Sequence, residues 1–140
     1  MKPIAIFLLL SISGLLHAEE NILARLDPAW KALEQRTARL VGQANQRKLL
    51  DMAYAQVAAD ACPGLNLNRP AFEAAFGGMV GGAKKDAAAQ RRLENEVSTY
   101  FGAYTGLLLA ESFIDKPAFC KGVEGVKTRK GGPTGFWSAK

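Results

Sequence analysis

Residues 76–85, FGGMVGGAKK, set Gly77, Gly78, Gly81 and Gly82 within six positions and follow them with Lys84 and Lys85. These residue types could cradle phosphate. In a P-loop, G-x-x-x-x-G-K-[ST], backbone N–H groups hold the phosphates, lysine reaches the terminal ones and a hydroxyl binds magnesium. Gly77 and Gly82 have the required separation, but Ala83 stands at the lysine position and Lys84 is followed by Lys85, not by a hydroxyl residue. The preceding PAFEAAF also has helical rather than strand character. The stretch is therefore expected to be a flexible segment between two helices, since each glycine costs a helix about 1 kcal/mol relative to alanine. A close approach of two helix backbones is the alternative use of Gly77 with Gly81 and of Gly78 with Gly82, each pair being four apart.

Two other groups could do chemistry. Glu111 and Asp115 are four apart on one prospective helix face, a spacing suited to cation binding or to acid and base work, although Lys116 beside them favours a locally neutralised cluster. Tyr100, Tyr104 and Glu111 follow one another along roughly one helix side; a core stripe explains the tyrosines equally well. His17 is the only histidine and lies in the leader segment described below. Without it the remaining chain has no Ser-His-Asp or Cys-His system, no His-ligated zinc and no CxxCH haem attachment. The expectation is a protein that is not an enzyme and that has no metal and no cofactor.

Cys62 and Cys120 are the two cysteines. In an oxidising compartment they are expected to form a disulfide, closing a loop whose entropy is worth about 4 kcal/mol. The compartment follows from the start of the chain. Met1 and Lys2 precede an apolar run from Ile4 to Leu16, and Ala18 stands before Glu19 and Glu20, the layout of a secretory signal peptide (1–18) cleaved after Ala18. The apolar run, about 13 residues, is short of the roughly 20 that span a bilayer. Cleavage would leave about 120 residues, enough for one domain. Loss of Lys2 takes the 18 basic residues to 17 against 13 acidic, so the formal charge falls from +5 to +4.

The elements that must position any site are helices. From Glu19 to Asp60 the chain is rich in Ala, Leu, Gln, Glu, Lys and Arg. Asp27 and Pro28 suggest an N-cap and first turn, after which Trp30, Leu33, Thr37, Leu40 and Ala44 recur at helical spacing. Gly42 leaves open one long helix or two, with Leu49, Leu50, Ala53, Val57 and Ala61 as the continuing apolar face and Pro63 and Gly64 as the stop. Asn68 and Pro70 open the next helix, with Phe72, Ala75, Phe76, Met79 and Val80 on its apolar side. A third candidate runs from near Asp86 to Asp115, through Leu93, Val97, Tyr104 and Leu108, and Lys116 with Pro117 stops it. The expected fold is all-α: three to four amphipathic helices in a small bundle over residues 19–120, stapled by Cys62 and Cys120.

Residues 121–140 are expected to form a basic, Gly-rich tail. It carries Lys127, Arg129 and Lys130, and Phe136 with Trp137 beyond a Gly-Pro-Gly-rich break. An aromatic pair so placed either docks back on the domain or anchors a partner. The expected function is that of an exported, periplasmic or secreted, non-enzymatic accessory protein. It would bind another macromolecule through its helical surface and through Lys127, Arg129, Lys130, Phe136 and Trp137. A protein partner is favoured, an anionic membrane surface is a second candidate, and export disfavours nucleic acid. In format the chain resembles the periplasmic acid-stress chaperones, being small, exported, all-helical and singly disulfide-bonded, but no residue motif accompanies the likeness. A stress chaperone or inhibitor with conditionally exposed apolar surface is accordingly the alternative.

Overall fold

The computed structural model describes the backbone of residues 16–81 and 86–138, with side chains from Leu26 onward. Residues 1–15 of the expected signal peptide lie outside the described residues, as do Gly82, Lys84 and Lys85. The described chain forms five α-helices: α1 (Leu16–Val41), α2 (Gln43–Ala61), α3 (Arg69–Val80), α4 (Ala87–Ile114) and α5 (Lys116–Lys127). A two-residue strand β1 (Asn66–Leu67), a 3-10 turn (Gly132–Phe136) and a second short strand β2 (Trp137–Ser138) complete it.

Helix α2 is the centre, because it carries apolar residues on more than one face and such a helix must be buried. Gln46, Leu49, Met52, Ala53, Ala55, Val57 and Ala58 are all buried, and α2 packs against α1, α3, α4, α5 and the 3-10 turn. The main core joins Leu33 of α1, Leu49, Met52, Ala53 and Val57 of α2, Met79 and Val80 of α3, and Leu93, Val97, Tyr104 and Leu108 of α4. A smaller cluster of Ala58, Cys62, Leu65 and Val123 gathers around the disulfide. Cys62 and Cys120 are bonded with Cα atoms 5.5 Å apart, so the end of α2 is tied to α5 across 58 positions of sequence.

Local signals explain most boundaries. Gly42 separates α1 from α2 with φ +82°, a left-handed conformation that favours glycine. The side chain of Asn68 accepts from the Ala71 N–H and caps α3, and Asp86 accepts from Ala88 and Ala89 at the start of α4. Asp115 ends α4 and at once caps α5, accepting from Ala118 N–H at 2.9 Å, with Pro117 in the first turn.

Three expectations are corrected. Asp27 and Pro28 do not open a helix: α1 begins upstream and carries Pro28 inside it. The good helix formers before Asp27 continue the helix through a residue that forgoes one backbone hydrogen bond. Lys116 and Pro117 start α5 after a one-residue break, so a helix crosses the boundary expected at residue 120. Gly77 and Gly78 lie within α3, and Gly81 is its C-cap, rather than forming a segment between helices. A methyl group on Gly77 or Gly78 would meet open space, so no neighbouring backbone approaches there, whereas a Cβ on Gly81 would stand 2.6 Å from the Gly77 carbonyl oxygen. Of the two uses left open for the aromatic pair in the tail, the structure has the docked one. Beyond α5 the chain returns as a strap, residues 128–138, and β2 pairs antiparallel with β1, Asn66 opposite Ser138 and Leu67 opposite Trp137.

Candidate functional site: a cleft under the C-terminal strap

The strap is held by aromatic residues. Phe136 packs edge-on against Phe72 with ring centroids 6.1 Å apart, and its carbonyl accepts from the Asn68 N–H at 2.8 Å. The indole N–H of Trp137 donates to the Ala55 carbonyl at 2.9 Å, and its ring lies 6.4 Å from that of Tyr54. Tyr54 in turn meets Phe119 of α5 at 5.7 Å. Both Phe136 and Trp137 are half-buried. Of the five residues expected to face a partner, Lys127, Arg129 and Lys130 are exposed, while Phe136 and Trp137 turn inward.

Docked in this way, the strap forms one wall of a cleft of about 570 Å³ whose other walls come from α1, α2, α4 and α5. Trp30, Leu50, Tyr54, Leu108 and Val126 supply apolar surface; Asp51 and Glu111 supply carboxylates; Arg129, Lys130, Gly131, Gly132 and Pro133 supply the strap side. The size and the mixed lining are those of a ligand pocket. Gly131 and Gly132 have φ of +87° and +60°, which lets the strap turn sharply beside α2. A Cβ on Gly132 would lie 3.7 Å from Asp51 Oδ1, so the carboxylate abuts the turn.

The inner wall is organised by hydrogen bonds across the bundle. Trp30 Nε1 donates to Glu111 Oε1 at 2.7 Å, joining α1 to α4. The Trp30 ring lies 5.9 Å from Tyr104, whose hydroxyl accepts from Gln46 Nε2 at 3.0 Å in the core. Burial raises the Asp51 carboxyl above its ordinary 3.8, and the positive Arg47 on the same helix works against that rise. Burial also raises the Tyr54 hydroxyl, with the Glu111 charge adding to the rise.

Two carboxylates and two cations thus line one cleft, yet no ion pair joins them. Among the described residues the salt bridge is Lys127 to Glu124 at 3.0 Å, an exposed pair one turn away on α5. Neither Asp51 nor Glu111 is within 4.0 Å of a basic group there. The Asp51 carboxylate also accepts no hydrogen bond among the described residues, while the Glu111 carboxylate accepts only from Trp30.

The other sequence candidates disperse. Glu111 lies within α4 and Asp115 just beyond its end, and they do not share a site, since the Asp115 side chain caps α5. Tyr104 is fully buried and bonded to Gln46, while Tyr100 lines a different groove between α1 and α4. No cluster of three His, Cys, Asp or Glu side chains among the described residues could hold a metal ion. Sequence reasoning missed Trp30, Asp51 and Tyr54 as site residues. The available signal was Asp51 itself, the one charge in the run LLDMAYAQVAA of the central helix.

Comparison with protein-family models, with curated proteins and with solved structures returns no match to this chain.

Proposed function

We propose that this is an exported, non-catalytic accessory protein that binds a segment of another macromolecule of the cell envelope or its surroundings. The observation that carries the reading is the cleft under the strap, with an apolar floor and, on its walls, four charges that form no ion pair among the described residues. Export is supported by the apolar leader ending at Ala18 and by the Cys62–Cys120 bond, which suits an oxidising compartment. No described helix is long and apolar enough to cross a membrane. Lys127, Arg129 and Lys130 lie along the outer rim and add a basic approach surface. Phe136 and Trp137 serve the same function indirectly, by holding the wall in place.

The test is affinity purification from a cell-envelope fraction, with the full chain and with Leu50→Arg, which puts a long charged side chain into the cleft. The reading expects partners recovered with the wild type and lost with a folded Leu50→Arg protein. Recovery of the same partners with both would place binding elsewhere. The chaperone alternative rests on the strap alone, whose release would uncover Tyr54 and Phe72. Suppression of aggregation that is unchanged from pH 7 to pH 3 would remove it.

A further inference from the structure

We infer that the cleft recognises a lysine or arginine side chain of a partner protein segment that carries an acidic residue beside it. Asp51 and Glu111 receive the cation next to the rings of Trp30 and Tyr54, and Arg129 and Lys130 receive the neighbouring acid. This rests on the cleft being the binding site proposed above.

Charge complementarity supports the assignment. A cation beside aromatic rings and between carboxylates is stabilised by both, and charge-assisted hydrogen bonds are the stronger kind. Half-buried Asp51 has no internal cation within 4.0 Å and no hydrogen bond among the described residues, although Arg129 and Lys130 line the same cavity. The cleft keeps the two signs apart, so a ligand carrying both satisfies each wall at once. A purely cationic ligand would meet Arg129 and Lys130 unpaired at the entrance, and a purely anionic one would meet two carboxylates inside. The apolar surfaces of Leu50, Leu108 and Val126 suit the methylene stem of a long basic side chain, which packs along apolar surface while its charge finds polar partners.

A peptide is favoured over a membrane face by shape. The site is a concavity walled by four helices and a strap, reached by a protruding side chain. A membrane-seated helix presents a broad apolar face, and the exposed large hydrophobic among the described residues is Phe113 alone, 81% accessible.

The experiment is calorimetric titration of the full chain with capped peptides bearing Glu-Leu-Lys-Leu, with glutamine in place of lysine, and with glutamine in place of glutamate. The lysine peptide is expected to bind at least tenfold more tightly than its glutamine counterpart. Asp51→Asn and Glu111→Gln, each checked for folding by circular dichroism, should each weaken the lysine peptide about tenfold, the scale of one charge-assisted hydrogen bond. Arg129→Ala with Lys130→Ala should erase the preference for glutamate while keeping that for lysine. Arg91→Ala, exposed near the start of α4 and outside the cleft, should leave both unchanged.

Equal binding of the lysine and glutamine peptides would overturn the inference, as would full affinity in folded Asp51→Asn and Glu111→Gln. Binding to phosphatidylethanolamine vesicles without binding to any peptide would overturn it in favour of a lipid headgroup. The two readings fail separately. If Leu50→Arg abolishes partner capture but the lysine peptide does not bind, only this inference falls. If capture is indifferent to Leu50→Arg, the cleft itself is not the site.

Discussion

Replacing Trp137 with alanine tests whether the strap belongs to the fold. The side chain is half-buried and packs on Tyr54 and on the cluster around the disulfide. A fully buried tryptophan truncated to alanine costs about 3–5 kcal/mol, so half of that burial is worth about 2 kcal/mol. The indole hydrogen bond to Ala55 adds about 1 kcal/mol. The expected loss is thus about 3 kcal/mol, a shift in the urea midpoint of roughly 1–2 M for an m-value of about 1.5–3 kcal/mol/M. Far-ultraviolet circular dichroism under non-reducing conditions would follow it. Trp137→Phe, which keeps the ring but loses the donor, should cost only about 1 kcal/mol. An alanine variant within about 0.5 kcal/mol of the wild type, the usual range for surface changes, would refute the reasoning. It would mean that the strap is undocked in solution and that the aromatic pair is free for a partner.

The disulfide closes a long loop, so the Cys62→Ala, Cys120→Ala double variant should lose about 4 kcal/mol in the same assay; an unchanged midpoint would remove the bond from the stability account. Tyr104→Phe leaves Gln46 without its partner in the core and should cost about 1–3 kcal/mol. Adding Gln46→Leu should cost less than the two single changes summed, and strict additivity would show the pair to be uncoupled. At Asp51 burial raises the native pKa above the unfolded value, so the native state binds the proton more tightly. Stability should therefore fall as pH rises from about 3.8 through that raised native pKa, with the positive Arg47 moderating the effect. Thermal midpoints across pH 3 to 7 should show that slope reduced in Asp51→Asn, with the variant at least as stable as the wild type at pH 7. A less stable variant there would mean that the carboxylate has a stabilising partner.

The helices were legible because their signals are local. Asn68 and Asp86 cap where a short polar side chain precedes a run of helix formers, and Gly42 breaks where a left-handed residue is needed. The stripe from Leu93 through Val97 and Tyr104 to Leu108 is buried as its spacing implies. Pro117 misled because proline reads equally as the end of one helix and the first turn of the next, and Asp115 serves both. The cleft was not legible because it joins Trp30, Asp51, Glu111 and Arg129 from four separate segments. Their meeting depends on how α1, α2 and α4 cross and on where the strap returns. No spacing within one helix encodes that, and the one pair whose spacing did suggest chemistry, Glu111 with Asp115, is split by the start of α5.

The strap changes what a basic, glycine-rich ending means in this chain. Read as composition, residues 128–138 are a solvated arm whose cations seek an anionic surface. Docked, they are a wall whose cations stand opposite carboxylates without neutralising them. Gly131 and Gly132 supply the turn that other residues would strain to adopt, and Phe136 with Trp137 fixes it from the far side. Ordering this segment costs conformational entropy, and glycine loses the most on being fixed. The aromatic burial offsets that loss but does not require charged residues between α5 and the 3-10 turn. Those charges, and the half-buried Asp51 facing them, add little to the packing, and burial without a partner makes Asp51 a local cost. A ligand that pairs with both walls would turn that cost into binding free energy, so the same carboxylate that lowers stability in the empty protein should raise it in the complex.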